Sequence, residues 1–364
     1  MSWERRRSEL RSGPWGRLLL LLLSWVYALG MATRGLLYSL KVLKRRKLSA
    51  KVICIGNITT GGTGKTPTVL LAAQTLRRKS LEVAILSRGY GRLAPGAEVT
   101  TLVDGRSVPW SRCGDEPWMM HQALHGQNIP ILVSANRLKA GQEAIRFYHS
   151  RLLILDDGFQ HLAVKPDLSI VLINATDPFG GGKLLPLGNL REPLSSLKRA
   201  DMVVITHVDR VSDKELEAIR KRIASVAPKM PLIEAEHKAD FLFDLKTERK
   251  FRLAHLAEQK VVSLCGIADP KSFEEQLEKI GCKVTQRWRY PDHHAYRLRE
   301  LRAVEKLRGG LPVITTFKDM PRLPKGWQSV VSGEIFALAV KLDIVKGKNL
   351  WLDKLDRLAD EALA

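Results

Sequence analysis

Several short stretches of this chain carry residue types that suit phosphate chemistry. Gly61-Gly62-Thr63-Gly64-Lys65-Thr66 follows the apolar run 52–55 and leads into an amphipathic stretch at 69–76. Strand, glycine loop and helix in that order form a phosphate-binding loop: glycines let backbone amides curl around an oligophosphate, Lys65 reaches the terminal phosphates, and the Thr66 hydroxyl can ligate Mg²⁺. The usual pattern has glycine five residues before Gly64, and Thr59 stands there instead. A plain glycine turn would leave Lys65 and Thr66 without a purpose. The second stretch, 151–161, ends an apolar run in Asp156-Asp157-Gly158-Phe159-Gln160-His161, where phosphate-loop enzymes keep an acid for the metal. Its alternative reading is a strand-end turn, since Asp-Gly is a turn signal, with Phe159 in the core.

The third set supplies acid–base and guanidinium groups. Gly114-Asp115-Glu116-Pro117 reads either as a helix start capped by Asp115 or as an acid in a loop. Tyr290-Pro291-Asp292-His293-His294 gathers imidazoles beside an acid, and an Asp oriented by a His could accept the proton of a substrate hydroxyl. A zinc site is the competing idea, but no further ligands stand at suitable spacing. Arg88-Gly89-Tyr90-Gly91-Arg92, Asn136-Arg137 and Arg191-Glu192-Pro193 place arginines in loops after apolar runs, where a planar fork offsets charge developing on phosphate oxygens. Thr206-His207-Val208-Asp209 resembles the guanine-reading Thr-Lys-x-Asp of GTP-binding proteins, with His207 where lysine is expected.

The elements that must position these groups follow from hydrophobic runs. Residues 52–55, 83–86, 131–133, 152–155, 168–173 and 202–205 are apolar at successive positions, as strands covered on both faces are, with helical patterns at 139–148 and 213–227 between them. This order predicts an α/β, doubly wound, mostly parallel sheet of the P-loop NTPase kind, with its ligand at the carboxyl ends of the strands. Periodicity weakens and charges thicken between 228 and 251. A second alternating series follows: strands at 261–265, 284–288 and 313–316, helices at 272–280 and 298–307. The expected division is a basic, apolar membrane-associated segment at 1–48, a phosphate-loop core at 49–230 and a smaller α/β lobe at 231–364.

With 364 residues, 45% hydrophobic and 27% charged, the chain is long enough for two cores and has ordinary globular composition. Its net charge of +21 is uneven, since residues 1–50 hold eleven Lys and Arg against two Glu. That excess flanks the most apolar stretch, so anionic lipid headgroups suit it better than nucleic acid. Residues 18–33 carry no charge. Sixteen helical residues reach about 24 Å, short of a bilayer core of about 30 Å. Arg5, Arg6, Arg7, Arg11 and Arg17 precede this stretch, and Arg34, Lys41, Lys44, Arg45, Arg46 and Lys47 follow it. Positive charge on both sides favours a helix lying in the membrane face over an oriented span. A secretory signal competes, with Gly30 and Ala32 as a cleavage site, but export would part the phosphate loop from cytosolic ATP. Cys54, Cys113, Cys265 and Cys282 show neither metal spacing nor a dense disulfide pattern, which points to a reducing compartment.

Taken together, Gly56-Asn57-Ile58-Thr59 running into Gly61 through Pro67, Ser87 through Gly91, Gly114 through Pro117, Asp156 through His161, Leu190-Arg191-Glu192-Pro193 and Asp292-His293-His294 resemble the tetraacyldisaccharide 4'-kinases, the membrane-associated lipid A kinases of Gram-negative bacteria. The resemblance covers most of the chain, and Thr59 is part of it. It implies ATP and Mg²⁺, and transfer of the γ-phosphoryl group to the 4' hydroxyl of a tetraacylated glucosamine disaccharide 1-phosphate at the cytoplasmic face of the inner membrane. It further implies nucleotide contacts from Thr59, Gly61, Gly62, Thr63, Gly64, Lys65 and Thr66, and a base dyad of Asp115 with His293. Thr66, Asp156, Asp157 and Glu192 would surround the metal, and Arg137 and Arg191 would steady the phosphates. Neither nucleic acid nor a protein partner is required. Thr315-Thr316-Phe317-Lys318-Asp319 departs from the family's Thr-Glu-Lys-Asp at Phe317, so no role is carried to that segment. Two alternatives stand beside this expectation: a nucleotide switch or chaperone ATPase or GTPase acting on a protein partner, and a membrane-surface protein using the loop for a structural anion.

Overall fold

The computed structural model describes residues 3–90, 92 and 98–364, with side chains left aside for 3–6 and 8. Gly91, Arg5 and Arg6 of the motifs above thus lie outside the described side chains. The chain forms two compact units, each assembled from separated stretches: 1–88, 129–236 and 343–364 in the first, 89–128 and 237–342 in the second. The contiguous division expected at 230/231 differs from this in two places. Residues 89–128 pack with the second unit, and 343–364 return to the first.

The first unit begins with helices α1 (Trp3–Ser12) and α2 (Pro14–Ser39). Its strands are β1 (Lys51–Asn57), β2 (Val83–Ser87), β4 (Ile131–Val133), β5 (Leu152–Asp156), β6 (Leu168–Asn174), β7 (Met202–Thr206) and the start of β8 (Leu232–Asp244). They lie in the order β8-β7-β6-β1-β5-β2-β4. Every registered pair among them is parallel. The crossovers are α3 (Lys65–Arg77), α6 (Arg137–Tyr148) and α7 (Asp213–Ala224), with α10 (Lys348–Leu363) returning to pack beside α3 and β1. Helices on both faces bury these strands, which explains why they read as unbroken apolar runs. From β1 the chain passes to β2 and outward to β4, returns to β5 between β1 and β2, then crosses to β6 on the other side of β1. The switch point therefore falls beside β1, where ligands of such sheets bind at the carboxyl ends.

Helix α2 is longer than the charge-free run suggested. Pro14 opens it at the first helical positions, and it continues past Arg17 and Arg34 for 26 residues, about 39 Å. The expectation of a helix too short to cross is thereby corrected: by length and composition α2 suffices to span a bilayer. One side of it is fixed to the protein. Leu20 is buried, the Ser24 hydroxyl donates to Leu184 O (3.1 Å) and accepts from Leu187 N (3.0 Å), Tyr27 donates to Arg191 O (2.8 Å), and Arg7 bonds the Asn189 side chain. The opposite side exposes Trp15, Leu22, Trp25, Val26 and Leu29.

The second unit carries β3 (Thr100–Leu102), α4 (Trp110–Cys113), α5 (Asp115–Ala123), the remainder of β8, β9 (Lys250–Phe251), β10 (Lys260–Cys265), α8 (Pro270–Lys279), β11 (Lys283–Arg289), α9 (Leu298–Leu307), β12 (Val313–Thr316) and most of β13 (Ile335–Lys346). Its main strands run β11-β10-β12-β13-β8, and β9 pairs antiparallel with β8. Core residues such as Leu242, Leu277, Ile314 and Phe336 fill one face of this sheet; Leu264, Leu301, Val304 and Ile335 fill the other.

Helix α7 shows the local rules at work. Ser212 accepts from Glu215 N, and the Glu215 carboxylate reaches back to Ser212 N at 2.8 Å, closing a capping box on two donors that would otherwise be orphaned. Ser212→Ala is expected to lower the unfolding free energy by about 1 kcal/mol, measured by urea denaturation; an unchanged midpoint would contradict the capping role.

Candidate active site

In the first unit, four strand ends converge on the glycine loop. Gly61 and Gly64 have φ of +106° and +80°, a conformation that side chains disfavour. A Cβ at Gly61 or Gly62 would meet nothing within 4 Å, so the loop stands open at these positions. The loop is held from beneath: Asn57 Nδ2 donates to Thr63 Oγ1 (2.9 Å), Asn174 Nδ2 to Gly62 O (3.1 Å) and Thr206 Oγ1 to Thr63 O (3.2 Å). Thr59 forms an antiparallel bridge with Leu190, flanked by Thr60 N to Asn189 O and Arg191 N to Ile58 O. Extended backbone there accepts a side chain, which accounts for threonine in place of glycine. Lys65 and Thr66 open α3, whose dipole adds positive potential at the cradle.

Asp157 is the charge centre of this unit. It sits at φ +50° just past β5, with Arg191 Nη1 at 2.8 Å and Lys65 Nζ at 3.8 Å from Oδ1. Burial pushes its pKa up, but Lys65, Arg191 and Arg137 outweigh that and hold it below the ordinary carboxylate value. Asp156 is buried and accepts from the Ser87 hydroxyl at 2.9 Å. Arg137, also buried, donates to Ser134 O (2.9 Å) and reaches Asp156 O (3.5 Å). Thus Lys65, Arg191, Arg137, Asp156 and Asp157 form one connected group.

Glu192 is turned to a different partner. Its buried carboxylate accepts from Arg199 Nη2 at 2.7 Å, and Arg199 lies over the Phe159 ring at 4.6 Å. Phe159 is a core residue, packed so closely that a Cβ on Gly56 would approach its backbone nitrogen to 2.7 Å. Gln160 Nε2 donates to Asn57 O (2.9 Å), and its own carbonyl accepts from Arg34 of α2 (2.5 Å).

In the second unit, Asp115 is not a helix cap. Gly114, at φ +94°, holds the N-cap position of α5 without a side-chain cap, and a Cβ there would meet Tyr90 O at 2.7 Å. Asp115 instead accepts from Arg322 Nε through Oδ2 at 3.2 Å. The same guanidinium donates from Nη2 to His293 Nδ1 at 2.9 Å. The two residues expected to form a dyad are therefore brought together through an arginine that sequence reasoning overlooked. Behind it lies Asp319, fully buried, 3.5 Å from Arg322 Nη1 and bonded by Thr316 Oγ1 (2.7 Å) and Gly266 N (3.1 Å). The segment to which no role was assigned thus supplies the support of the Asp115–His293 pair. Its only sequence signal was a buried-type acid three residues before an arginine, a pattern too common to single out.

The donor set suits Mg²⁺ bound chiefly through phosphates. A threonine hydroxyl and one or two carboxylates beside an amide cradle are what that ion takes from protein when nucleotide supplies the rest. Among the described residues no group of three or more His, Cys, Asp and Glu could form an all-protein metal cage.

A family model described as tetraacyldisaccharide-1-P 4'-kinase matches residues 16–359. The chain belongs to this kinase family. It is similar to the tetraacyldisaccharide 4'-kinases of Elusimicrobium minutum, 40% identical over 96% of this chain and 93% of that protein, and of Anaeromyxobacter dehalogenans, 36% identical over 97% and 93%. It is also similar to the crystal structure of LpxK from Aquifex aeolicus in complex with ATP, with a TM-score of 0.74 and 30% identity over 94% of this chain and 99% of that one. The kinase is thus an ATP-dependent enzyme of lipid A biosynthesis acting on the acylated disaccharide, and the switch or chaperone alternative loses its support. Thr206 of the guanine-like motif is spent on holding Thr63, and His207 turns its Nδ1 to the same hydroxyl at 3.2 Å.

His161 gives the kinase a measurable acid response. Burial, then Arg137, Arg34 and Arg88, lower its pKa from 6.5 to about 4. The unfolded chain takes up this proton below about 6.5 whereas the folded chain does not, so this residue's contribution to stability is lost as pH falls from about 6.5 towards about 4. Urea unfolding across that window should show a shallower pH slope for His161→Gln than for the wild type; parallel slopes would contradict the assignment.

Proposed function

We propose that the amides of Gly61 through Gly64, with Thr59 shaping the loop, hold the triphosphate of ATP while Lys65 meets its terminal phosphates. Thr66, Asp156 and Asp157 would hold Mg²⁺, which supplies charge neutralisation on the phosphate oxygens when bound. Arg191 and Arg137 steady the transferring group, and Glu192 contributes through Arg199, which it orients. Asp115, partnered by His293, accepts the proton of the 4' hydroxyl. The sugar oxygen then forms its bond to the γ-phosphorus as the bond to the β–γ bridging oxygen breaks, and ADP leaves. What supports this reading above all is that Asp115 and His293, distant in sequence, are held on one guanidinium. By role rather than by packing, we divide the chain into a membrane segment at 1–48, a phosphate-loop core at 49–230 and a smaller lobe at 231–364.

The acceptor is an acylated lipid, and we place the kinase at the cytoplasmic face of the inner membrane, on anionic lipid, with no protein partner or nucleic acid needed. Trp15, Trp25 and Leu29 of α2 are 82%, 72% and 69% exposed, and the basic run Lys44 through Lys47 follows the helix. Apolar side chains next to cations are what an interfacial helix offers a bilayer.

Asp115→Asn should lower kcat for phosphoryl transfer to detergent-dispersed disaccharide lipid by about 10²–10⁴-fold while the KM for ATP changes little; loss of thermal stability with kcat intact would return Asp115 to a structural role. Trp25→Glu combined with Leu29→Glu should reduce co-sedimentation with anionic vesicles by about tenfold or more, with kcat in detergent maintained. Undiminished vesicle binding would remove α2 from the membrane contact.

A further inference from the structure

We infer that Arg322 is the positioning residue of the base, fixing both the carboxylate of Asp115 and the tautomer of His293. The inference rests on the reading of Asp115 as base. A guanidinium has donors only, so the 2.9 Å contact from Arg322 Nη2 makes His293 Nδ1 the acceptor. Neutral His293 then carries its proton on Nε2. The contact to Asp115 uses Nε of the same planar group, so the carboxylate and the imidazole are locked to one rigid fork.

That fork is itself anchored from the core. Asp319 faces Arg322 Nη1 at 3.5 Å, and its other oxygen accepts from Thr316 Oγ1 and Gly266 N. The Gly266 peptide in turn accepts from His293 N at 3.1 Å. One buried carboxylate thereby fixes the arginine and the backbone that carries the histidine. Position 266 is tightly enclosed, since a Cβ would lie 3.0 Å from His294 Cβ and 3.2 Å from both Asp319 Oδ1 and Tyr296 Oη. Tyr296 N bonds Arg322 O at 3.2 Å, closing the loop onto the turn that carries Arg322. A surface arginine making a chance contact has none of this support. The side chain of Arg322 is 9% exposed, while that of His293 is 70% exposed. The arginine is built in, and the histidine is presented by it.

The full-length enzyme tests the inference in two ways. Nitrogen-15 NMR of wild-type enzyme should show His293 as the Nε2–H tautomer, and Arg322→Lys or Arg322→Ala should shift it towards a mixture. In steady-state assays Arg322→Ala should lose at least about tenfold in kcat, part of the range for a positioned base, with the KM for ATP within about threefold. Added guanidinium ion should restore a part of that kcat, which a merely structural loss would not allow. The inference is overturned if wild-type His293 carries its proton on Nδ1, or if folded Arg322→Ala keeps kcat within about twofold of the wild type. It is equally overturned if guanidinium restores nothing and the tautomer is unmoved. If Arg322→Ala does not fold, the wild-type spectrum and Arg322→Lys decide. Asp115→Asn separates the layers: retained turnover in that variant removes the base reading, whereas the His293 tautomer reports on Arg322 alone.

Discussion

The carboxylate of Asp157 sets the electrostatics of the nucleotide-binding unit. Lys65, Arg191 and Arg137 bring concentrated positive charge to the end of a parallel sheet, and without a fixed anion they would repel one another. Asp157 holds Arg191 at 2.8 Å and Lys65 at 3.8 Å, and Arg137 adds its charge nearby. On the proposed reading a triphosphate competes for the same cations and adds the charge that Asp157 alone cannot match. The excess of positive charge at this point suits a ligand more anionic than a single carboxylate.

The same unit ties α2 to this charge centre. Tyr27 of α2 bonds the carbonyl of Arg191, Ser24 bonds both sides of the 184–187 turn, and Arg34 bonds the carbonyl of Gln160, whose side chain holds Asn57. Each contact lands on a segment that shapes the phosphate loop or its arginine. Helix α2 and the segments around the phosphate loop are therefore parts of one packed structure.

Much of this was legible in the residues. Strands buried on both faces announce themselves as continuous apolar runs, so β1, β5, β6 and β7 were readable, as were α9 and β12 to the residue. The glycine loop and Asp156-Asp157 carry local chemistry in local spacing. Strand β8 was hidden because its pattern changes part-way, apolar at 233 and 235, then mixed and charged from 236 to 240, as the chain passes from one unit to the other. The length of α2 was hidden because Arg17 and Arg34 were read as its ends, although long cationic side chains sit readily on a helix. Arg322 and Asp319 were invisible for another reason: their meaning lies in what α5 and the 290–294 loop bring to them, and that is settled by tertiary packing. Asp115 illustrates the same limit, since a helix cap and a carboxylate turned to a tertiary partner share one local sequence, and only Gly114 in the cap position separates them.

The decisive measurement is a crystal structure of the kinase with a nonhydrolysable ATP analogue, Mg²⁺ and the acylated disaccharide acceptor. It should place a carboxylate oxygen of Asp115 within about 2.6–3.2 Å of the 4' oxygen, with that oxygen in line with the γ-phosphorus. A 4' hydroxyl bonded to some other group, with Asp115 and His293 directed away from it, would contradict the mechanism.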